Sequence, residues 1–307
     1  MHLHYDEDFI EAAIQSCIGG PGRRIASLQI TRFNREREKL YDILDPDERN
    51  NAFFHLHLEW FREWGLERSL IGPLGEFPLL REALKILVFR QSRGKNDEGT
   101  ELYVNETGDR TGVVAMRPER LAREAVLKPF LRHELNHLHD MVDPGFGYQP
   151  QLPEIGSSVS HLRLARERYR LLWDVAIDGR LTRRGRQTIA TKDQRWSELV
   201  GVFSFWPQSR QHEVFESLWA NPAPNHSILV ELICDSRHAQ ASACPQPGAA
   251  CPLCGFPTFA WVSQGRLTEE IVSAIRSEFP HWNPEHGACA RCADIYRVNR
   301  PQAATVV

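Results

Sequence analysis

The sequence predicts an α+β protein: a small sheet and mostly helical surroundings carry a histidine-rich helix, and a separate cysteine-bearing module follows. Three observations support this class. Strand-like runs cluster between residues 84 and 118, helical periodicity dominates the rest, and six of the seven cysteines fall in the last quarter of the chain. A length of 307 residues suffices for one large domain and a smaller module. The expected divisions are a helical region at 1–83, a mixed domain at 84–222 and a cysteine module at 228–300.

Residues 6–66 read as helical. Asp45 or Asp47 is a plausible N-cap before the apolar-periodic run that ends near Gly65. "LKILVFRQ" (84–91), "ELYVNE" (101–106) and "RTGVVAMRP" (110–118) then read as strands, the first two separated by a turn-rich segment. A helix follows with Pro129 in its first turn, where a missing N–H costs nothing, and runs to about Met141. A second helix is expected from about 160 to 181, capped by "SSVS".

Composition excludes some partners. The net charge of −3 provides no global basic field, so nucleic acid is not an expected partner, although "RLTRRGRQ" (180–187) is locally basic. The N-terminus lacks the positive start and apolar run of a secretory signal. No apolar stretch reaches the ~20 residues of a spanning helix. A cytoplasmic protein without a membrane partner is expected.

The chemistry concentrates in "RHELNHLHD" (132–140). On a helix His133 and His137 project from one face at neighbouring turns, close enough for both imidazoles to reach one Zn²⁺. Glu134 lies about 100° around the helix, near the metal but off the ligand row, where a general base could take a proton from water. Leu131, Leu135 and Leu138 form the opposite, core-facing side. His139 points away, and Asp140 sits one turn too far to ligate. A third ligand is expected downstream in "LLWDVAIDGRL" (171–181), where Asp174 and Asp178 again stand four apart. One carboxylate can bind the metal while the other accepts the N–H of a ligating histidine.

"HELNH" followed by a helix bearing these aspartates resembles the zincin metallopeptidases, in particular the gluzincins. The resemblance covers roughly residues 84–182. It implies a zincin-like catalytic domain, Asp174 as third ligand of a catalytic zinc, Asp178 as the partner of a ligating histidine, and Glu134 as catalytic base. The gluzincin motif has Glu where this chain has Asp174, a shorter side chain that demands closer helices, so His161, Glu154 and Glu167 remain alternative ligands. The family also implies an edge strand that holds an extended substrate, a place "GVVAM" (112–116) would take. Tyr148, Tyr169, His161 and Arg180 are candidates to stabilise the oxyanion.

"CPLC" and "CARC" place Cys251, Cys254, Cys289 and Cys292 in two knuckles separated by 34 residues. Each knuckle turns two thiolates to one side, and two knuckles close a tetrahedral structural zinc site. This resembles a zinc ribbon, with His286 and Cys244 as substitute ligands and Phe256, Phe259, Trp261, Phe279 and Trp282 as its small core. Two zinc ions are therefore expected, one catalytic and one structural. The expected function is a zinc-dependent metallopeptidase acting on protein or peptide substrates, with the ribbon docking a partner. The alternatives are a non-catalytic, metal-stabilised binding or assembly protein, and a DNA-associated protease resembling the SprT-like family.

Overall fold

The computed structural model describes all residues except 21, 23–24, 95–96, 153–158, 205, 235–247 and 299–307; the side chains of 159–161 and 298 are also outside the description. The chain divides into two compact units: residues 1–148 with 181–189, and residues 149–180 with 190–307. Among the described residues no helix is long and apolar enough to cross a membrane.

The first unit is built on a four-stranded sheet in the order β1-β2-β4-β3. Its strands are β1 (His2–Tyr5), β2 (Ile86–Gln91), β3 (Gly99–Val104) and β4 (Arg110–Met116). β1, β2 and β4 are parallel, while β3 pairs antiparallel with β4. Three strands lie where the β-like runs predict them. β1 is an addition: its four residues, "HLHY", are too few to show a period, and it forms by pairing with the distant β2.

The order corrects one expectation. "GVVAM" lies in β4, an inner strand, and β3 is the edge. Val113 to Met116 are all buried, as in a strand covered on both faces, whereas β3 alternates with its Glu101 and Tyr103 exposed. β4 also has to come close to a helix. A Cβ on Gly112 would lie 2.7 Å from Leu138 Cδ2 and 3.0 Å from Leu84 Cδ1, so only glycine fits without displacement.

Among the described residues, five α-helices lie between β1 and β2: α1 (Glu7–Gly19), α2 (Ser27–Lys39), α3 (Pro46–Glu63), α4 (Leu66–Leu74) and α5 (Pro78–Ala83). Asp45 is the N-cap of α3, its carboxylate accepting the Glu48 N–H, and Asp6 caps α1 in the same way. The helices of residues 1–83 share one core with the sheet, since Phe9, Ile10, Trp60, Phe61, Leu66 and Leu70 are buried in the same cluster as Leu87, Phe89 and Val114.

His57 of α3 lies in this core against Phe33 and Phe53. Burial lowers its pKa below the usual 6.5. The unfolded chain therefore binds a proton that the folded chain refuses. The resulting stabilisation is complete above about pH 6.5 and is lost as pH falls toward the lowered folded value. The melting temperature should fall between pH 7 and pH 5, and His57→Phe should flatten that dependence. An unchanged slope in the variant would refute the assignment.

The helix α6 (Glu124–Val142) carries the histidine motif and starts five residues before Pro129, which lies inside it instead of in its first turn. Leu127 in the added turn is completely buried, and that packing outweighs the backbone hydrogen bond the proline cannot donate.

The second unit contains most of α7 (Val159–Arg183), then α8 (Lys192–Val202), α9 (Gln208–Ala220) and α10 (His226–Cys234). α7 has the extent its periodicity predicts; the "SSVS" capping residues Ser157 and Ser158 lie outside the described residues. Gly179 in α7 permits close contact, because a Cβ there would lie 2.3 Å from the Trp219 carbonyl oxygen of α9. The cysteine-bearing tail adds α11 (Glu269–Glu278) and α12 (Ala290–Val298), with a core of Leu253, Leu267, Ile271, Ile275, Trp282 and Tyr296. Phe256 and Phe259 do not join that core and are 56% and 83% exposed. They sit on the strand-like turn after the first knuckle, while the helix between the knuckles supplies the apolar face.

Candidate metal centres

Helical spacing does in α6 what the motif requires. His133 and His137 stand on one face with ring centroids 5.0 Å apart. Leu131, Leu135 and Leu138 are completely buried on the other side, each contributing about 1.5–3 kcal/mol of apolar burial. The polar side is not a solvated surface either: His133, Glu134, His137 and Asp140 are all buried. Buried ionisable groups are costly without partners or a metal, which separates this helix from a surface helix with the same letters. His139 turns away and packs near Phe77.

Glu134 is held from the edge strand. The Thr100 hydroxyl of β3 lies 3.3 Å from Glu134 Oε2 and 3.4 Å from its carbonyl oxygen. The start of β3 is fixed in turn by Glu98, which accepts two bonds from the Arg120 guanidinium, at 2.6 and 2.8 Å, and two from Arg117. Burial alone would raise the Glu98 pKa; the hydrogen bonds from Arg120 and Arg117 outweigh it and hold the carboxyl below the usual range. Sequence reading missed Thr100, because no local pattern links it to a glutamate 34 positions later.

On α7, Asp174 and Asp178 share a face as predicted, and Asp178 is completely buried. Arg195 of α8, which no motif includes, reaches both. Its Nε donates to Asp178 Oδ2 at 2.7 Å, and its Nη1 lies 3.4 Å from Asp174 Oδ2. Burial alone would lower the Arg195 pKa, but the two aspartates raise it above the ordinary arginine value. Tyr169, a candidate for the oxyanion, is buried with its hydroxyl 2.7 Å from His226 Nδ1.

His133, His137 and Asp174 each offer a ligand atom, all within 4.8 Å of one another. Of the alternative third ligands, Glu167 is exposed and paired with Arg163, Glu154 lies outside the described residues, and so does the His161 side chain.

The four knuckle cysteines form the other cluster, also within 4.8 Å. Cys251 and Cys292 sulfurs are 4.0 Å apart, those of Cys254 and Cys289 3.8 Å. A tetrahedral ion with bonds of about 2.3 Å to sulfur requires edges of about 3.8 Å, so the donor set fits one. Backbone N–H groups of Cys289 and Cys292 point at the sulfurs of Cys251 and Cys289. Hydrogen bonding from Cys254 holds the Cys251 thiol below its usual value. Gly255 closes the first knuckle at φ +75°, and a Cβ there would lie 2.9 Å from Arg168 Nη2 of α7. His286 is no ligand here: its ring caps Asn283. Cys244 lies outside the described residues.

Fold and sites together define a mixed α+β protein; among the described residues two side-chain clusters could hold a metal ion, one of four cysteines and one of two histidines and an aspartate. No protein family, curated protein or solved structure matches the chain.

Proposed function

We propose that the chain is a zinc-dependent metallopeptidase of zincin type. His133, His137 and Asp174 would hold the catalytic ion, and the four cysteines a structural one. The observation that carries this reading is the buried His133–Glu134–His137 face with a glutamate oriented by the edge strand. Two imidazoles and one carboxylate are a zinc donor set that leaves a coordination position open. When bound, the ion would polarise the scissile carbonyl and make water acidic enough to deprotonate at neutral pH.

The remaining work falls to the chain. Glu134 takes the proton of the attacking water and passes it to the leaving amine nitrogen. Thr100 keeps that carboxylate from swinging into other rotamers. Among the described residues the outer edge of β3 pairs with no strand, so its main-chain groups suit an extended peptide. The Asp178 carboxylate, which accepts from Arg195 Nε, would be the partner of a ligating histidine N–H.

One observation favours a second reading, a metal-stabilised binding protein without turnover: the exposed Phe256 and Phe259 lie next to the cysteine cluster and would suit a protein partner. Metal content tests both. Elemental analysis of the full chain should find two zinc ions, falling to one in His133→Ala/His137→Ala. One ion in both proteins would remove the catalytic centre and leave the binding reading.

A further inference from the structure

Arg195 is a buried charged residue that neither the motif nor the proposed chemistry employs. It is 5% exposed, yet its guanidinium meets three carboxylates: Asp178 at 2.7 Å, Glu198 at 2.8 Å and Asp174 at 3.4 Å. Its backbone is firmly placed. Thr191 and Gln194 form a reciprocal capping box at the start of α8, so Arg195 occupies the first, best-anchored turns of that helix.

The arrangement has a consequence for Asp174. Two carboxylates four residues apart on one helix face repel each other, more strongly where water is excluded. Asp178 cannot relieve this by turning to solvent, because it is completely buried. A guanidinium can satisfy both, since its planar fork presents several donors in fixed directions; an ammonium is a single point charge.

We infer that Arg195 is a positioning residue for the metal centre: anchored on Asp178 and Glu198, it holds the Asp174 carboxylate in the orientation that meets His133 and His137. The inference rests on the proposed assignment of Asp174 as third ligand. It adds a residue 21 positions downstream of that aspartate, on a different helix.

The test uses the full-length chain freed of metal. One equivalent of Zn²⁺ fills the cysteine cluster, and Co²⁺ is then titrated while its visible absorption bands are recorded. Wild type should bind one Co²⁺, and Asp174→Asn should lose most of that binding. Arg195→Lys and Arg195→Gln should weaken it by about 10–100-fold, the usual effect of removing a group that orients a ligand, and should change the band pattern. An Arg195 that serves only the fold would lower the melting temperature yet leave the bands and affinity of the folded protein as in wild type, and that result overturns the inference. If Arg195→Gln does not fold, Arg195→Lys decides the matter, because it retains the buried charge. Absence of Co²⁺ binding in wild type, or full binding in Asp174→Asn, would instead bring down the underlying assignment of the metal centre and this inference with it.

Discussion

Glu134→Gln should retain both metal ions and the melting temperature while lowering peptide hydrolysis by about 10²–10⁴-fold, the usual contribution of a positioned general base. Glutamine has the shape of glutamate, and its amide oxygen can still accept from the Thr100 hydroxyl, which lies 3.3 Å from Glu134 Oε2. What it lacks is basicity. The loss should appear in kcat, because the proton moves in the transition state and not on binding. A fluorogenic peptide library read alongside elemental analysis separates the outcomes. Wild-type turnover in a metal-loaded variant would exclude Glu134 as the base. No turnover by the wild type on any peptide, with two metals bound, would favour the binding protein.

The second large effect concerns the cysteine cluster. Removing its metal, by chelation or by Cys251→Ser/Cys292→Ser, should unfold the tail from about 248 to 298. Its core rests on Leu253, Leu267, Ile271, Ile275, Trp282 and Tyr296, and a module of this size buries too little apolar surface to fold alone. Structural zinc typically supplies ~10–16 kcal/mol of apparent binding energy, far more than such a core can replace. Limited proteolysis should cut the tail of the stripped protein within minutes and spare that of the loaded protein. Equal resistance in both would show that the tail needs no metal.

Much of this site was legible in the chain. The four-residue repeat of His133 and His137, the leucines behind them, and the pairing of Asp174 with Asp178 all follow from helical periodicity, a property of neighbouring residues. The two CxxC pairs are likewise local, since a tight turn brings residues i and i+3 to one side. Three of the four strands announced themselves by β-branched and aromatic content between turns. The interior place of β4 goes against the edge-strand expectation that the family resemblance implied for "GVVAM"; its uninterrupted apolar "VVAM" suits a strand covered on both faces.

Other features had no local signature. β1 exists because Leu3 and Tyr5 find partners in Leu87 and Phe89, more than eighty residues away. Pro129 stays inside α6 because Leu127 packs into the core, a tertiary gain that overrides a local penalty. Phe256 and Phe259 look like core residues by type and are surface residues by position.

Thr100 and Arg195 show the division most clearly. Spacing along one helix determines which side chains share a face, so the candidate ligands and the proposed base could be named from the letters alone. Which residue from another strand or helix then orients them depends on how elements meet, and contact between distant segments leaves no period to read. The chemistry on offer was therefore set by local geometry. The groups that aim it, Thr100 at Glu134 and Arg195 at Asp174 and Asp178, were settled by packing alone.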